Sequence, residues 1–215
     1  MTKLNALIKL LRPHQYVKNL FIFLPLFFIG KLLNTTLLYD IFISVIAFSF
    51  ASSSIYILND SLDIEADKKH PDKRNRPLAA GLISKKVAFL VMGLLFLIST
   101  TLMGMLSLKA LYIMLIYVVL NIGYCFFLKH IPIIDITIIA IGFILRIYVG
   151  SYVANVPLST WIVMMTFLIA LFLAIAKRRD DVLHFMKTGT KMRKVVNGYN
   201  LKFIDSSMSV MSAVI

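Results

Sequence analysis

Tyr56-Ile57-Leu58-Asn59-Asp60-Ser61-Leu62-Asp63-Ile64-Glu65-Ala66-Asp67 is the stretch on which the reading of this 215-residue chain turns. It straddles the end of an apolar run, residues 39–58, and about 20 apolar residues at about 1.5 Å each cross the roughly 30 Å of hydrocarbon in a bilayer. The segment therefore reads as a membrane helix that ends in a cluster of acids. If the helix continues past the membrane surface, Asn59, Asp63 and Asp67 fall at i, i+4 and i+8 on one face, with Tyr56 one turn earlier. Asp60 flanks that stripe and Glu65 points away from it.

Carboxylates stacked at this spacing repel one another, so a bound cation is the natural compensation. Carboxylate and amide oxygens suit Mg2+, which takes one or two protein carboxylates and completes its shell with water and substrate phosphate. The expected ligand is thus a magnesium diphosphate, with Asn59, Asp63 and Asp67 as metal ligands and Asp60, Asp63 and Asp67 as the catalytic carboxylates. The blander reading is a solvated acidic helix end paired with the lysines after it. The polar stripe starts at bilayer depth, which disfavours that reading.

Downstream the chain runs Lys68-Lys69-His70-Pro71-Asp72-Lys73-Arg74-Asn75-Arg76-Pro77-Leu78-Ala79-Ala80-Gly81. Pro71 and Pro77 stiffen this loop, and Arg74 and Arg76 present planar guanidinium forks suited to bidentate phosphate contacts. Lys73 joins them as a candidate phosphate ligand. Lys85 and Lys86 read as membrane anchors.

The whole chain agrees with a membrane protein: 60% of residues are hydrophobic and 15% charged, and the mean hydropathy is +0.87. Such a composition excludes an ordinary soluble domain. Six stretches are long enough to span, at about 19–38, 39–58, 87–107, 109–128, 133–154 and 158–176, and a seventh begins at Phe203. The fold class expected is an all-α polytopic transmembrane bundle forming one domain over residues 1–215. The seventh run stops at Ile215, and the chain reads as truncated at its C-terminus. Residues 1–18 interleave Lys3, Lys9, Arg12 and Lys18 with leucines, as in an amphipathic helix on the membrane surface. The single cysteine, Cys125, permits no internal disulfide or cysteine cluster.

Net charge is +13, and its placement gives orientation. All Lys and Arg except Lys31, Lys109 and Arg146 lie in residues 1–18, the 59–86 loop, the turn at Lys129 or residues 177–202. The positive-inside rule makes these segments and the N-terminus cytoplasmic, in an inner or plasma membrane. Five of the ten Asp and Glu crowd between Asp60 and Asp72, a clustering that topology alone does not require. Nucleic acid is not an expected partner.

Asn59, Asp60, Asp63 and Asp67, followed by Arg76-Pro77-Leu78 and Gly81, resemble the first aspartate-rich motif of the UbiA-type intramembrane prenyltransferase superfamily. The resemblance implies an all-helical, usually nine-span fold around a cavity open to lipid, with magnesium-bound diphosphate at its cytoplasmic mouth. Ordinary members carry a second aspartate-rich motif after the sixth span. Here that place reads Lys177-Arg178-Arg179-Asp180-Asp181-Val182-Leu183-His184-Phe185, with no Asp-x-x-x-Asp.

That basic segment, with Leu11-Arg12-Pro13-His14-Gln15-Tyr16-Val17-Lys18-Asn19 and Leu128-Lys129-His130-Ile131-Pro132-Ile133, is similar to the decaprenyl-phosphate phosphoribosyltransferase branch. The branch implies a magnesium-dependent transferase carrying 5-phosphoribose from phosphoribosyl diphosphate to a polyprenyl phosphate, as in making a cell wall polysaccharide precursor. Several anionic groups would then meet in one cavity and require matching cations. Lys18, Lys73, Arg74 and Arg76 are the candidates for donor phosphates, with Tyr56 hydrogen-bonding beside the metal. Lys129, Arg146, Lys177 and Arg178 are the candidates for the remaining phosphates.

Arg146 is a guanidinium inside an apolar span, a position that normally faces the bundle interior or a wet cavity. Snorkelling, or pairing with Asp135, is the structural alternative. His14, His70, His130 and His184 show no zinc-type spacing and read as loop residues, with His14 and His130 as secondary candidates for phosphate contact. Two other functions compete: an aromatic prenyltransferase using a polyprenyl diphosphate, and a non-enzymatic transporter or lipid-binding scaffold. The missing second motif counts against the first, and the lack of matching broken-helix halves against the second. A homo-oligomer is compatible with all three.

Overall fold

The computed structural model describes residues 3–189 and 194–215. Among the described residues every regular element is helical. Helix α1 is Lys3–Leu11, α2 Leu24–Phe28, α3 Thr35–Leu62, α4 Ile64–Lys69, α5 Lys85–Leu106 and α6 Leu108–Phe126. They are followed by α7 at Ile134–Ala154, α8 at Thr160–Thr188 and α9 at Leu201–Val214. Helices α3, α5, α6, α7 and α8 are long and apolar enough to cross a membrane, so the chain is an integral membrane protein.

Local chemistry sets the boundaries. Asn34 caps α3 by accepting from the Leu37 amide, Ser84 caps α5 through Val87, and Asn200 caps α9 through Phe203. Gly189, at φ 67°, closes α8 with its N–H on Phe185 O. The expected first span at 19–38 is built differently. Pro13–Phe23 form a 3-10 helix, α2 adds one α-helical turn and Gly30 turns the chain at φ 69°, so that α3 already begins at Thr35. Pro13, Pro25 and Gly30 explain the division. A 3-10 run this long is uncommon. The expected seventh span appears as α9, which is 14 residues long.

The chain divides into two compact units, Met1–Cys125 with Arg146–Pro157, and Phe126–Leu145 with Leu158–Ile215. In the first, α1 lays Ala6 and Leu10 against Ile57, Ile64, Leu78, Ile83, Ala88 and Leu95. The surface helix read from the sequence is therefore also clamped onto the end of α3 and onto the 77–83 loop. In the second, Ile136 of α7, Ala174, Ile175 and Val182 of α8 and Ile204 of α9 pack with Val195, Val196 and Tyr199. Many Leu, Phe and Ile side chains of α5 and α6 stay exposed, as expected of surfaces solvated by lipid.

Candidate active site

A row of small hydroxyl residues on α3, Ser49, Ser52, Ser53 and Ser54, is buried. In hydrocarbon each hydroxyl must find a partner within the protein. Ser49 accepts from Asn19 Nδ2 at 2.9 Å, Ser53 meets Tyr16 Oη at 2.9 Å and donates to Leu11 O at 2.7 Å, and Ser52 lies 3.4 Å from Tyr117 Oη. The 3-10 helix is thereby fastened along the inner face of α3.

Arg146 is set into this polar row and is 4% exposed. Its Nε donates to Asn19 Oδ1 at 2.8 Å and its Nη2 to Tyr117 Oη at 3.2 Å. Its guanidinium carbon lies 5.0 Å from the Phe48 ring centre and 4.9 Å from that of Tyr117, a cation–π arrangement on two rings. One turn further along, Gly150 sits so close to the 3-10 helix that a Cβ would fall 2.0 Å from Ile22 O. That absent side chain lets α7 approach closely enough for Arg146 to reach Asn19. The interior reading of Arg146 holds, and its suggested partner Asp135 is engaged elsewhere.

Toward the end of α3 the polar row becomes a charge cluster. Asp60 is 2% exposed and Asp67 is 3% exposed. Arg76 Nη1 donates to Asp60 Oδ1 at 3.0 Å and to Asp67 Oδ2 at 2.6 Å, so one nitrogen bridges two carboxylates. Arg12 also pairs with Asp60 Oδ1 and lies over the Tyr56 ring at 5.3 Å. Arg12 has φ 54°, a left-handed conformation that a non-glycine residue adopts at a cost of about 1–3 kcal/mol. Strain of this kind persists where surrounding contacts hold it, and here they are an ion pair and an aromatic face.

The backbone departs slightly from the expected continuous helix: α3 ends at Leu62 and Asp63 has φ −95°, ψ 8°. The bonds from Asp63 N to Asn59 O (3.0 Å) and from Asp67 N to Asp63 O (2.8 Å) continue across the break. The helical spacing of Asn59, Asp63 and Asp67 is therefore approximately kept. Asn59 and Asp63 are half-buried, and Glu65 is exposed and bonded to Lys68 at 2.8 Å, which holds its carboxyl below the usual range. In the following loop His70 Nδ1 accepts from the Asp72 and Lys73 amides. That role confirms His70 as a loop residue and orders the turn bearing Lys73 and Arg74.

The donors suit magnesium. Among the described residues no three His, Cys, Asp or Glu side chains are grouped closely enough to hold an ion alone. Magnesium, however, needs only one or two carboxylates when phosphate and water supply the rest. Arg76 Nη1 occupies the point shared by the Asp60 and Asp67 carboxylates.

In the second unit the expectations for the 177–179 segment need correction. Arg178 is not a free phosphate ligand. It is 2% exposed, with Nε on Asp135 Oδ2 at 2.6 Å and Nη1 on Asp181 Oδ2 at 2.9 Å. A buried guanidinium demands such partners, and α7 and α8 supply them. Arg179 pairs with Asp205 of α9 at 2.7 Å. Lys177 is exposed, and the Arg179 side chain is 41% exposed. Asp135 also accepts from Tyr199 Oη at 2.5 Å, while Tyr199 Oη receives the Ile133 amide at 2.7 Å. Ile133 has φ 69°, and the 3-10 turn carrying Lys129 immediately precedes it. Lys191 and Arg193 lie outside the described residues.

Asp60, Asp67 and Arg146 are thus buried along one polar row with Tyr56 and Arg76 half-buried beside them, and Lys18, Lys73 and Arg74 occupy its flanking 3-10 helix and loop. Arg12, Asn19 and Tyr117 are structural members of that row, and Asp135 and Tyr199 anchor the second unit. Sequence reasoning singled out none of these five as site residues. The available signal was their polarity in apolar surroundings, together with an arginine directly before Pro13.

Residues 20–215 match the UbiA prenyltransferase family. The decaprenyl-phosphate phosphoribosyltransferase of Mycolicibacterium smegmatis is 35% identical over 208 residues, 93% of this chain and 64% of that protein. Its Corynebacterium glutamicum counterpart is 34% identical over 210 residues, 93% of this chain and 61% of that protein. The chain therefore spans less than two thirds of either relative. A UbiA homologue from Archaeoglobus fulgidus, solved bound to GPP and Mg2+, superposes with a TM-score of 0.80 at 22% identity, covering 97% of this chain and 74% of that one.

Proposed function

The chain belongs to the UbiA prenyltransferase family, and from that premise we propose that it carries the active site of a magnesium-dependent phosphoribosyltransferase. The donor is 5-phosphoribosyl diphosphate and the acceptor a polyprenyl phosphate of the decaprenyl type. The observation that carries this reading is the Asp60–Arg76–Asp67 bridge at the end of a membrane helix, in a chain 35% identical to a decaprenyl-phosphate phosphoribosyltransferase.

Magnesium held by Asn59, Asp63 and Asp67, with Asp60 beside them, would neutralise the donor diphosphate. In the reaction the bond from C1 of the ribose to the diphosphate oxygen breaks, its electron pair leaving with diphosphate. A lipid phosphate oxygen forms the new bond to C1. That oxygen is already ionised, so no general base is needed, and catalysis rests on positioning and charge stabilisation. Lys18, Lys73, Arg74 and Arg76 meet donor phosphates, and Tyr56 would hydrogen-bond beside the metal. Arg146, fixed between two rings, supplies a deep positive charge. Lys129 and Lys177 are assigned to the remaining phosphate groups. The N-terminus and the 59–86 loop are assigned to the cytoplasmic side on their basic residues.

One observation favours a second reading. Arg178 and Arg179 are spent on carboxylates, so the 177–179 segment adds less free positive charge than its sequence suggests. A prenyl diphosphate donor with a neutral aromatic acceptor needs fewer cations.

Membranes containing the chain, supplied with Mg2+, labelled phosphoribosyl diphosphate and decaprenyl phosphate, are expected to form a labelled lipid. Labelling that is absent, or equal in Asp63→Ala, overturns the proposal. Loss of diphosphate from a labelled prenyl diphosphate instead selects the second reading.

A further inference from the structure

The arginines and aspartates of the charge cluster differ in exposure. Asp60 and Asp67 are enclosed, their side chains 2% and 5% exposed, whereas the Arg12 and Arg76 side chains are 18% and 25% exposed at the rim. As folded the cluster is neutral, two carboxylates against two guanidinium groups. A divalent cation entering it alone would meet two positive groups where it needs oxygens, and the point shared by Asp60 and Asp67 is taken by Arg76 Nη1.

From this we infer that Arg76, helped by Arg12, holds the metal's place in the substrate-free protein and is handed to the donor diphosphate when metal and diphosphate arrive together. The inference rests on the magnesium-diphosphate reading above. The carboxylates give up the Arg76 guanidinium for the divalent ion, and the extra positive charge is balanced by the incoming diphosphate, whose oxygens the released guanidinium meets. Because Asp60 and Asp67 need not move, the exchange requires only side-chain rotation at the rim. The left-handed backbone of Arg12 keeps a second guanidinium on Asp60, so that this carboxylate is not left buried and unpaired as Arg76 departs. An uncompensated buried carboxylate would be strongly unfavourable. The device disfavours idle metal binding and couples metal entry to the substrate.

The test uses the purified full chain in detergent, with Mn2+ as probe for the metal and radiolabelled manganese diphosphate as probe for the pair. Wild-type protein should retain the labelled pair and bind Mn2+ alone only weakly. Arg76→Gln should bind Mn2+ alone roughly tenfold tighter and the labelled pair roughly tenfold more weakly. Opposite changes from one substitution are not expected of a merely structural ion pair. Arg12→Gln should also tighten binding of Mn2+ alone, and it carries the test if Arg76→Gln does not fold. Unchanged or weaker Mn2+ binding in the folded variants overturns the exchange while leaving the magnesium-diphosphate reading intact. Failure of the wild-type protein to retain the labelled pair overturns both.

Discussion

Arg178 Nε donates to Asp135 Oδ2 at 2.6 Å, and the two side chains are 2% and 0% exposed. A guanidinium so enclosed is part of the framework. Arg178→Ala leaves Asp135 buried with its charge no longer matched by this partner, a loss of about 3–5 kcal/mol. The thermal unfolding midpoint in detergent should fall sharply. A variant that keeps its midpoint and loses only substrate affinity would return Arg178 to the phosphate ligands.

Tyr199 completes the same anchor. Burial, and the hydrogen bond it donates to Asp135, push its phenol well above its ordinary value of 10.0. The neutral form is the one favoured by folding. Its contribution is therefore fully present below about pH 10 and is lost as pH rises through the higher folded value. Tyr199→Phe should remove about 1–3 kcal/mol at neutral pH by leaving the Ile133 amide and Asp135 each short of a partner. The wild-type midpoint should also converge on that of the variant at alkaline pH, as followed by thermal scans from pH 8 upward.

Gly150 and Gly93 give opposite expectations for one substitution. Alanine at 150 would place Cβ 2.0 Å from a backbone oxygen, that of Ile22, whereas at 93 nothing lies within 4 Å. Gly150→Ala should destabilise by about 1–3 kcal/mol through forced backbone movement. Gly93→Ala, in a helix interior, should be neutral or stabilising by up to about 1 kcal/mol. Comparing the two midpoints checks the close approach that brings Arg146 to Asn19.

Arg146→Leu removes the donors that Asn19 Oδ1 and Tyr117 Oη receive and the charge held over Phe48 and Tyr117. Activity in the labelled-lipid assay should be lost. Arg146→Lys keeps the charge but not the planar, two-armed geometry and should retain a small fraction. Full activity in Arg146→Leu would show that the buried charge has no part in the reaction.

Chelation should stop the labelled-lipid reaction, and Mg2+ or Mn2+ should restore it, because the donor set is oxygen only. Zn2+, which favours nitrogen and sulfur ligands, should restore little. Restoration by Zn2+ alone would contradict the assignment of Asn59, Asp63 and Asp67.

What the sequence determined by itself was local. Hydropathy over stretches of about 20 residues identified α3, α5, α6, α7 and α8 as membrane helices, because hydrocarbon imposes length and apolarity on each span independently. The spacing of Asn59, Asp63 and Asp67 on a helix, and the separation of Glu65 from them, followed from a 3.6-residue period that the chain keeps across its small break at Asp63. Tertiary structure decided which charges remain available. Arg76 and Arg178 both lie within four positions of an acidic residue, yet Arg76 lies at a rim, on Asp60 and Asp67, while Arg178 is sealed against Asp135, 43 positions away. Arg12 reaches Asp60 across 48 positions and Arg146 reaches Asn19 across 127. Those pairings depend on which helices are neighbours and how closely a glycine lets them approach, and no short-range pattern in the chain encodes them.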